Sequence, residues 1–142
     1  MTRSHIHRHR VAFGDCDPAQ IVFYPNYYKW FDTAALEFFR ACGIPAWREL
    51  EQSRGIIGAP LVKASARFAA PASYGDDLDI EVTVAEWRSR SFVMHYTIRR
   101  GDTLIAEGEE TRVFAVKDEE NPGRIKAIAI PEDLRRLCDG DQ

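Results

Sequence analysis

The chain has 142 residues, of which 45% are hydrophobic and 29% are charged, and its formal net charge at pH 7 is −3. This length and composition favour one soluble globular domain with a substantial core. The negative net charge argues against a general nucleic-acid binder, so any anionic ligand has to meet a local basic cluster.

The polar N-terminus and the cysteines indicate a compartment. No apolar run approaches the roughly 20 residues that a membrane-spanning helix needs, and the first ten residues lack the apolar centre of a secretory signal. The three cysteines are odd in number and show no C-x-x-C spacing. We therefore expect a cytoplasmic protein that makes no contact with a membrane.

The N-terminal half predicts one strand and two helices. Residues 5–13 alternate loosely, as in a strand, and a turn-rich loop follows. Pro25 suits the first position of a long helix, and Gly43 suits its C-terminal stop. A shorter helix over residues 45–54 ends at Gly55. Apolar residues recur at helical spacing along the long helix, at Tyr27, Trp30, Phe31, Ala34, Ala35, Phe38 and Cys42.

The C-terminal half predicts mostly strands. Four segments rich in β-branched and aromatic residues are separated by turn signals, at residues 61–68, 78–87, 92–99 and 104–116. The last of them resumes over residues 125–130, and a short helix covers residues 131–138. Because strands joined by short links pair antiparallel, we expect about five antiparallel strands with one apolar helix on one face, an α+β arrangement.

The most informative stretch is residues 13–32, FGDCDPAQIVFYPNYYKWFD. Asp17 lies in the loop before the long helix, whose first N–H groups are unpaired. Since Pro25 has no N–H, the Tyr24 amide becomes the candidate donor. A carboxylate beside such a donor pairs a base or nucleophile with an oxyanion site, which suits acyl transfer or hydrolysis. The alternative is that Asp15 and Asp17 are only turn residues, since GDCDP is good turn chemistry.

This stretch resembles the signature of the 4-hydroxybenzoyl-CoA thioesterases of the hotdog fold. The resemblance extends over nearly the whole chain, through CGIPAWR, RGIIGAP, ASY, EWRSRSFV, TRVFAV and KAIAIPEDLRRLC. Asp–Pro followed by YPNY is shared by many hotdog acyl-CoA thioesterases. The EWRSRSFV and CGIPAWR motifs are typical of the hydroxybenzoyl-CoA type.

The resemblance implies roles for six residues. Asp17 would be the catalytic carboxylate, as nucleophile or as base for water, and the Tyr24 backbone N–H would polarise the thioester carbonyl. Asp32 matches the acceptor of the substrate's phenolic hydroxyl. Basic contacts to the coenzyme A phosphates are matched by Arg88, Arg90 and Lys126. Without the resemblance, Asp32 reads as part of a solvated helix face or as satisfied within the protein, and RSRS reads as a solvated turn.

Two positions depart from the family pattern. Gln20 stands where the family usually has Gly, and its amide could narrow the pocket, shift Asp17 or add a hydrogen bond. Ser89 stands where a basic residue is common, so we expect fewer phosphate contacts.

Two other groups of residues carry weaker chemistry. His5, His7 and His9 share one strand face, but carboxylate partners at metal-binding spacing are missing, so the polar face of an edge strand is the better interpretation. Cys16 lies between two aspartates, whose charge disfavours the thiolate, and we expect a bystander thiol.

We therefore predict one hotdog domain over residues 1–142, a long helix wrapped by a curved antiparallel sheet, with no metal or cofactor. By resemblance it is a homotetramer, a dimer of dimers with active sites at the subunit interface, that hydrolyses an aromatic acyl-CoA thioester, above all 4-hydroxybenzoyl-CoA. One alternative is a thioesterase for benzoyl or short-chain groups, which would have no use for Asp32. Another is a non-catalytic acyl-CoA-binding or acyl-carrier-interacting protein, which would gain nothing from Asp17. A dehydratase is disfavoured, because that hotdog group typically uses a His in the helix region and this helix has none.

Overall fold

A computed structural model describes residues 3–140, so the first two and last two residues of the predicted domain lie outside the described range. The helices and strands follow in the order β1 Ser4–Arg10, α1 Pro25–Ala41, α2 Trp47–Arg54, β2 Ile56–Gly58, β3 Leu61–Phe68, β4 Asp77–Trp87, β5 Phe92–Arg100, β6 Thr103–Arg112, β7 Ala115–Lys117, β8 Ile125–Ala127 and α3 Glu132–Asp139. None of these helices has both the length and the apolar character needed to cross a membrane.

The strands form two antiparallel sheets. The main sheet has five strands in the order β1-β4-β5-β6-β3, and a smaller sheet has the order β2-β7-β8. The long helix α1 lies against the main sheet and contacts β1 and β4 most extensively. The predicted α+β class is therefore confirmed.

The expectation that successive strands pair is wrong at one link. β3 pairs with β6 at one edge of the sheet, whereas β4 pairs with β1 near the other edge. The chain between them crosses the ends of β6 and β5: the amides of Ala69 and Ala70 donate to the Ile105 carbonyl at 2.8 and 3.2 Å. Arg100 then donates to the Pro71 carbonyl at 3.1 Å. The link is therefore a packed crossover and not a hairpin.

The predicted strand over residues 104–116 is two strands in two sheets. β6 ends at Arg112, and β7 pairs with β2, a three-residue strand that was not predicted. Between them Phe114 is fully buried and stacks on Phe92 with ring centroids 5.0 Å apart, so the chain bends into the core at this point. The remaining predicted boundaries agree with the observed ones to within three residues.

Helix α1 begins and ends where the sequence predicts. Pro25 is its first residue, and Gly43 follows the C-terminal cap in the left-handed region, with φ of 87°. Its buried face approaches the sheet so closely that a Cβ at Gly108 would lie 2.5 Å from the Phe31 ring. Phe31 also stacks on Tyr96, with ring centroids 4.7 Å apart. This contact fixes the helix, and with it the residues at its start and along its outer face.

Candidate active site

Asp15 anchors the loop between β1 and α1. Its carboxylate accepts hydrogen bonds from the Ala12 amide at 2.8 Å and from the His9 ring at 3.2 Å. Its backbone carbonyl accepts from the Phe23 amide at 2.9 Å and from the Asn26 side chain at 2.8 Å. Asp15 is therefore a turn residue, as the alternative interpretation expected, and it ties both ends of the loop together.

Asp17 closes a tight turn inside this loop. Its amide donates to the Ile21 carbonyl at 2.9 Å, and its Oδ1 accepts from the Ala19 amide at 2.9 Å. Its Oδ2 accepts no hydrogen bond from any residue between 3 and 140. Asp17 is half-buried, so the turn holds one carboxylate oxygen and leaves the other available.

Gln20 occupies a backbone conformation that favours glycine. Its φ is 68°, and among the described residues it is the one non-glycine residue with a positive φ. Its carbonyl accepts a hydrogen bond from the Ser73 hydroxyl at 2.5 Å, which ties the loop to the β3–β4 link. The backbone here has the shape that the family's usual Gly adopts without strain, and Gln20 adopts it at a cost.

A small apolar cavity opens beside the start of α1. It measures about 270 Å³, close to the lower end of the roughly 300–1,000 Å³ of ligand pockets. Its lining residues come from the loop, the helix, the end of β3 and the β3–β4 link, and are Ile21, Val22, Tyr24, Tyr27, Phe68, Ala69, Ala70, Pro71 and Ala72. Asp17 does not line it, but Ile21, the partner of the Asp17 amide, does.

The Tyr24 amide is an unpaired donor at the rim of the cavity. Tyr24 is the N-cap residue of α1, and within residues 3–140 its backbone N–H has no acceptor. Pro25 adds no N–H of its own. An unpaired N–H at the positive end of a 17-residue helix is suited to a developing negative charge on a carbonyl oxygen.

Asp32 lies outside the cavity, on the outer face of α1. Its side chain is 72% exposed, and its Oδ1 accepts a hydrogen bond from Arg112 Nη2 at 3.0 Å. The interpretation that its charge is satisfied within the protein therefore holds for the single chain. The single chain does not bring Asp32 into the cavity beside Tyr24.

The three predicted phosphate contacts lie in two neighbouring segments. Arg88 is bound by Glu86 through two hydrogen bonds of 2.8 and 3.1 Å, and Arg90 donates to the Ala127 carbonyl at 3.2 Å. Lys126 is the residue before Ala127 on β8 and is exposed. Lys126 lines a separate cleft of about 550 Å³ that neither arginine lines. The fold therefore brings Arg90 beside β8, whereas Arg88 forms an ion pair with Glu86.

The histidines and Cys16 have structural surroundings. β1 is an edge strand, as predicted, but the histidine face turns towards α1: the His9 ring lies 4.3 Å from Trp30, and burial lowers the pKa of His7. The histidines thus form a half-buried polar face of an edge strand. No cluster of metal-ligating side chains occurs in the described part of the chain. The half-buried Cys16 Sγ lies 3.9 Å from the Ala12 carbonyl.

The sequence interpretation missed the walls of the cavity. The spacing of Tyr27 predicts core packing alone, and Phe68 is predicted only as the end of a strand. Both line the cavity, with their rings 5.3 Å apart. The small residues of the β3–β4 link form the opposite wall. The Ala-Ala-Pro-Ala run is the sequence feature that could have indicated this cavity, because its small side chains leave open space next to aromatic side chains.

Comparison with known proteins identifies the family. A family model described as the Thioesterase-like superfamily matches residues 11–137. The chain belongs to this superfamily, whose hotdog fold it adopts.

Individual relatives narrow the comparison. The chain is 45% identical over 143 aligned positions to the 4-hydroxybenzoyl-CoA thioesterase of Pseudomonas sp. (strain CBS-3), covering 97% of this chain and 99% of that one. A solved structure of an aspartate-to-asparagine mutant of 4-hydroxybenzoyl CoA thioesterase, complexed with 4-hydroxybenzoyl CoA, aligns at a TM-score of 0.91 and 44% identity, over 96% of this chain and 99% of that chain. A gentisyl-coenzyme A thioesterase aligns at a TM-score of 0.80 and 35% identity, over 94% and 98% of the two chains.

The conformation of Gln20 generates a stability prediction. Gln20→Gly removes the left-handed strain, and after the entropic cost of glycine we expect a net gain of about 0.5–1 kcal/mol in the free energy of unfolding, measured by urea denaturation. Gln20→Ala is the matched control, because alanine keeps the strain and loses only the exposed amide. Equal stabilities of the Gly and Ala variants would contradict this account.

Proposed function

We propose that this protein is an acyl-CoA thioesterase that hydrolyses an aromatic thioester, 4-hydroxybenzoyl-CoA in particular, to the free acid and CoA. The observation that carries the proposal is that one loop holds both an Asp17 oxygen without a donor in the described residues and the unpaired amide of Tyr24, a residue that lines a small apolar cavity. The 45% identity to a 4-hydroxybenzoyl-CoA thioesterase supports the substrate.

The Tyr24 amide would bind the carbonyl oxygen of the thioester. Attack on the carbonyl carbon moves negative charge onto that oxygen, and a fixed N–H at a helix N-terminus stabilises the charge without reorganisation. The aryl group would enter the cavity between the Tyr24, Tyr27 and Phe68 rings. Aromatic walls favour a flat ring over a flexible chain of the same volume.

Asp17 would supply the attacking oxygen or activate water. As nucleophile, its carboxylate forms a mixed anhydride and releases the CoA thiolate, and water then frees the acid. As general base, it takes a proton from water, which attacks the carbonyl directly. Both routes need one carboxylate oxygen free of other donors, and Asp17 Oδ2 accepts no hydrogen bond within the described residues. The aspartate-to-asparagine mutant of the related thioesterase, complexed with its acyl-CoA, is in keeping with this role.

The arginines of the β4–β5 hairpin and Lys126 would contact the CoA phosphates. Arg88 is held by Glu86 without ligand, so phosphate binding has to replace a carboxylate with a more highly charged group. Ser89 separates the two arginines and adds no charge. The cluster is therefore smaller than is common in the family.

We further propose that the active unit is a homotetramer built from dimers, with the sites at subunit interfaces. β3 is an edge strand exposed on both faces, with Val62 66% exposed. An exposed apolar edge strand is a pairing surface. Phe68 at the end of β3 lines the cavity, so pairing at this edge would also cover the cavity and bring another subunit's residues to it.

Replacing the catalytic carboxylate tests the reaction. Asp17→Asn preserves shape and removes the charge, so we expect kcat for 4-hydroxybenzoyl-CoA to fall by about two orders of magnitude or more, while the Kd for the substrate changes little. Asp15→Asn is the comparison variant. Because it alters the residue that anchors the loop, we expect it to lower the free energy of unfolding as well as kcat. Near-normal turnover by folded Asp17→Asn protein would contradict the mechanism.

Removing the hairpin charges tests the CoA contacts. We expect Arg88→Ala/Arg90→Ala to raise KM for the CoA ester by about tenfold, with a smaller effect on kcat, because the charges bind a part of the substrate remote from the reacting bond. The pantetheine thioester, which lacks the nucleotide phosphates, should respond little. Arg99→Ala, at an exposed arginine of β5, is the control. An equal loss with both esters would refute the assignment.

The substrate's hydroxyl group tests Asp32, which does not line the cavity of its own chain and in the proposed assembly would therefore meet an aryl group bound in the cavity of another subunit. A hydrogen bond to a charged acceptor contributes roughly 1.5–3 kcal/mol, so the wild type should favour 4-hydroxybenzoyl-CoA over benzoyl-CoA by about 10- to 100-fold in kcat/KM. Asp32→Ala should bring this ratio close to one, mainly by slowing the hydroxylated ester. Equal kcat/KM values in the wild type would instead favour the broader thioesterase.

A further inference from the structure

A chain of charged and polar groups runs from the core to Asp32. The Tyr96 hydroxyl donates to Glu110 at 2.5 Å, deep in the main sheet. Arg112 donates to the same carboxylate through Nε at 3.2 Å and Nη2 at 3.0 Å. Its Nη1 donates to the Ala59 carbonyl at 2.8 Å, and its Nη2 also reaches Asp32 Oδ1 at 3.0 Å. One guanidinium therefore joins the core to an exposed carboxylate.

The burial of these groups is graded. The side chains of Glu110 and Arg112 are 1% and 8% exposed, whereas that of Asp32 is 72% exposed. Burial opposes the charge of Arg112, but the interactions with Tyr96, Glu110 and Asp32 outweigh it and raise the pKa of Arg112. Burial, together with Glu110, raises the pKa of Tyr96, so its hydroxyl remains a donor. The charge that faces Asp32 is therefore permanent.

We propose that Arg112 is a positioning residue for the acyl specificity, which it sets by holding Asp32 through Oδ1 so that Oδ2 faces outward as the acceptor for the substrate's phenolic hydroxyl. The inference rests on the proposed role of Asp32 and deepens it. Arg112 does not touch the substrate.

The geometry makes Arg112 a rigid support. Its guanidinium is held by Glu110 through Nε and Nη2 and by the Ala59 carbonyl through Nη1, so the direction in which Nη2 reaches Asp32 is fixed. Asp32 follows Phe31, which is packed against Gly108, so the backbone on the other side is also fixed. An exposed aspartate without Arg112 would sample several rotamers and hydrogen-bond to water.

Stability alone gives little reason for the network. A buried ion pair is often no more stabilising than apolar side chains of similar volume, because removing the charges from water is costly. Arg112, one member of the buried ion pair with Glu110, also contacts Asp32, a surface carboxylate on α1. Because Asp32 is largely exposed, its contact with Arg112 contributes little to stability.

The test measures the ratio of kcat/KM for 4-hydroxybenzoyl-CoA to that for benzoyl-CoA. Both esters are assayed on the same preparation, so the ratio does not depend on how much of a variant is folded. Arg112→Lys keeps the charge but cannot hold Glu110, Ala59 and Asp32 together, and we expect the ratio to fall by about tenfold. In an Asp32→Ala background the same substitution should leave the ratio unchanged, because Arg112 acts through Asp32.

A second variant covers the case in which Arg112→Lys does not fold. Glu110→Gln/Arg112→Met removes both buried charges, leaves no orphaned ion and keeps an acceptor for Tyr96. We expect this variant to hydrolyse both esters and to have lost the hydroxyl preference, as Asp32→Ala does. Arg10→Lys, at the bidentate pair with Asp77 on the β1 edge, is the matched control and should keep the wild-type ratio.

The outcomes separate the two proposals. A wild-type ratio that Asp32→Ala abolishes but that both Arg112 variants keep would overturn the positioning role and leave the proposed function intact. A fall of the ratio by Arg112→Lys that is as large without Asp32 as with it would also overturn the role. Absence of any hydroxyl preference in the wild type would overturn the role of Asp32 and the inference with it.

Discussion

The close approach of α1 to the main sheet at Gly108 determines where the candidate site residues at the start and along the outer face of α1 lie. The Phe31 ring occupies the space that a side chain at position 108 would fill, and it stacks on Tyr96, the cross-strand neighbour of Gly108. Because protein interiors are close-packed, a helix held at such a point cannot slide or rotate without large cost. Tyr24 at its start and Asp32 on its outer face are thereby fixed relative to β6, which carries Glu110 and Arg112.

The two aspartates of the loop before α1 differ in how many of their oxygens are hydrogen-bonded. Asp15 uses both its side chain and its carbonyl to order the loop, whereas Asp17 commits one oxygen to a turn and leaves the other unbonded. The turn interpretation and the catalytic interpretation of GDCDP are therefore compatible, since a carboxylate held by one backbone N–H is better oriented than a free one. Gln20, with its positive φ, adds backbone strain to the same turn. Backbone strain of this kind is concentrated at functional sites.

The sequence predicts local structure well here because local chemistry decides it. Pro25, Gly43 and Gly55 mark helix ends by conformational preferences that hold in any fold, and the structure has helix ends at each. The crossover of the β3–β4 link and the bend at Phe114 depend on contacts between distant segments, which periodicity does not reveal. The same applies to Arg112: TRVFAV reads as an ordinary strand, and its role becomes visible only when residues 32 and 112, distant in sequence, meet.

The edge strand β3 connects the proposed assembly with the proposed chemistry. A strand exposed on both faces is stable in solution only if something covers it or its sequence resists pairing, and β3 carries two basic residues, Lys63 and Arg67, among its apolar ones. Arg67 is paired with Glu107 of the neighbouring strand at 2.7 Å, so its charge is already compensated within the chain. Lys63 and Arg67 therefore oppose the pairing of β3 with another strand less strongly than two uncompensated charges would. Because Phe68 belongs both to this edge and to the cavity wall, a partner that binds the edge also changes how open the cavity is to water. In such an arrangement, exclusion of water from the thioester follows from association of the subunits and needs no separate lid.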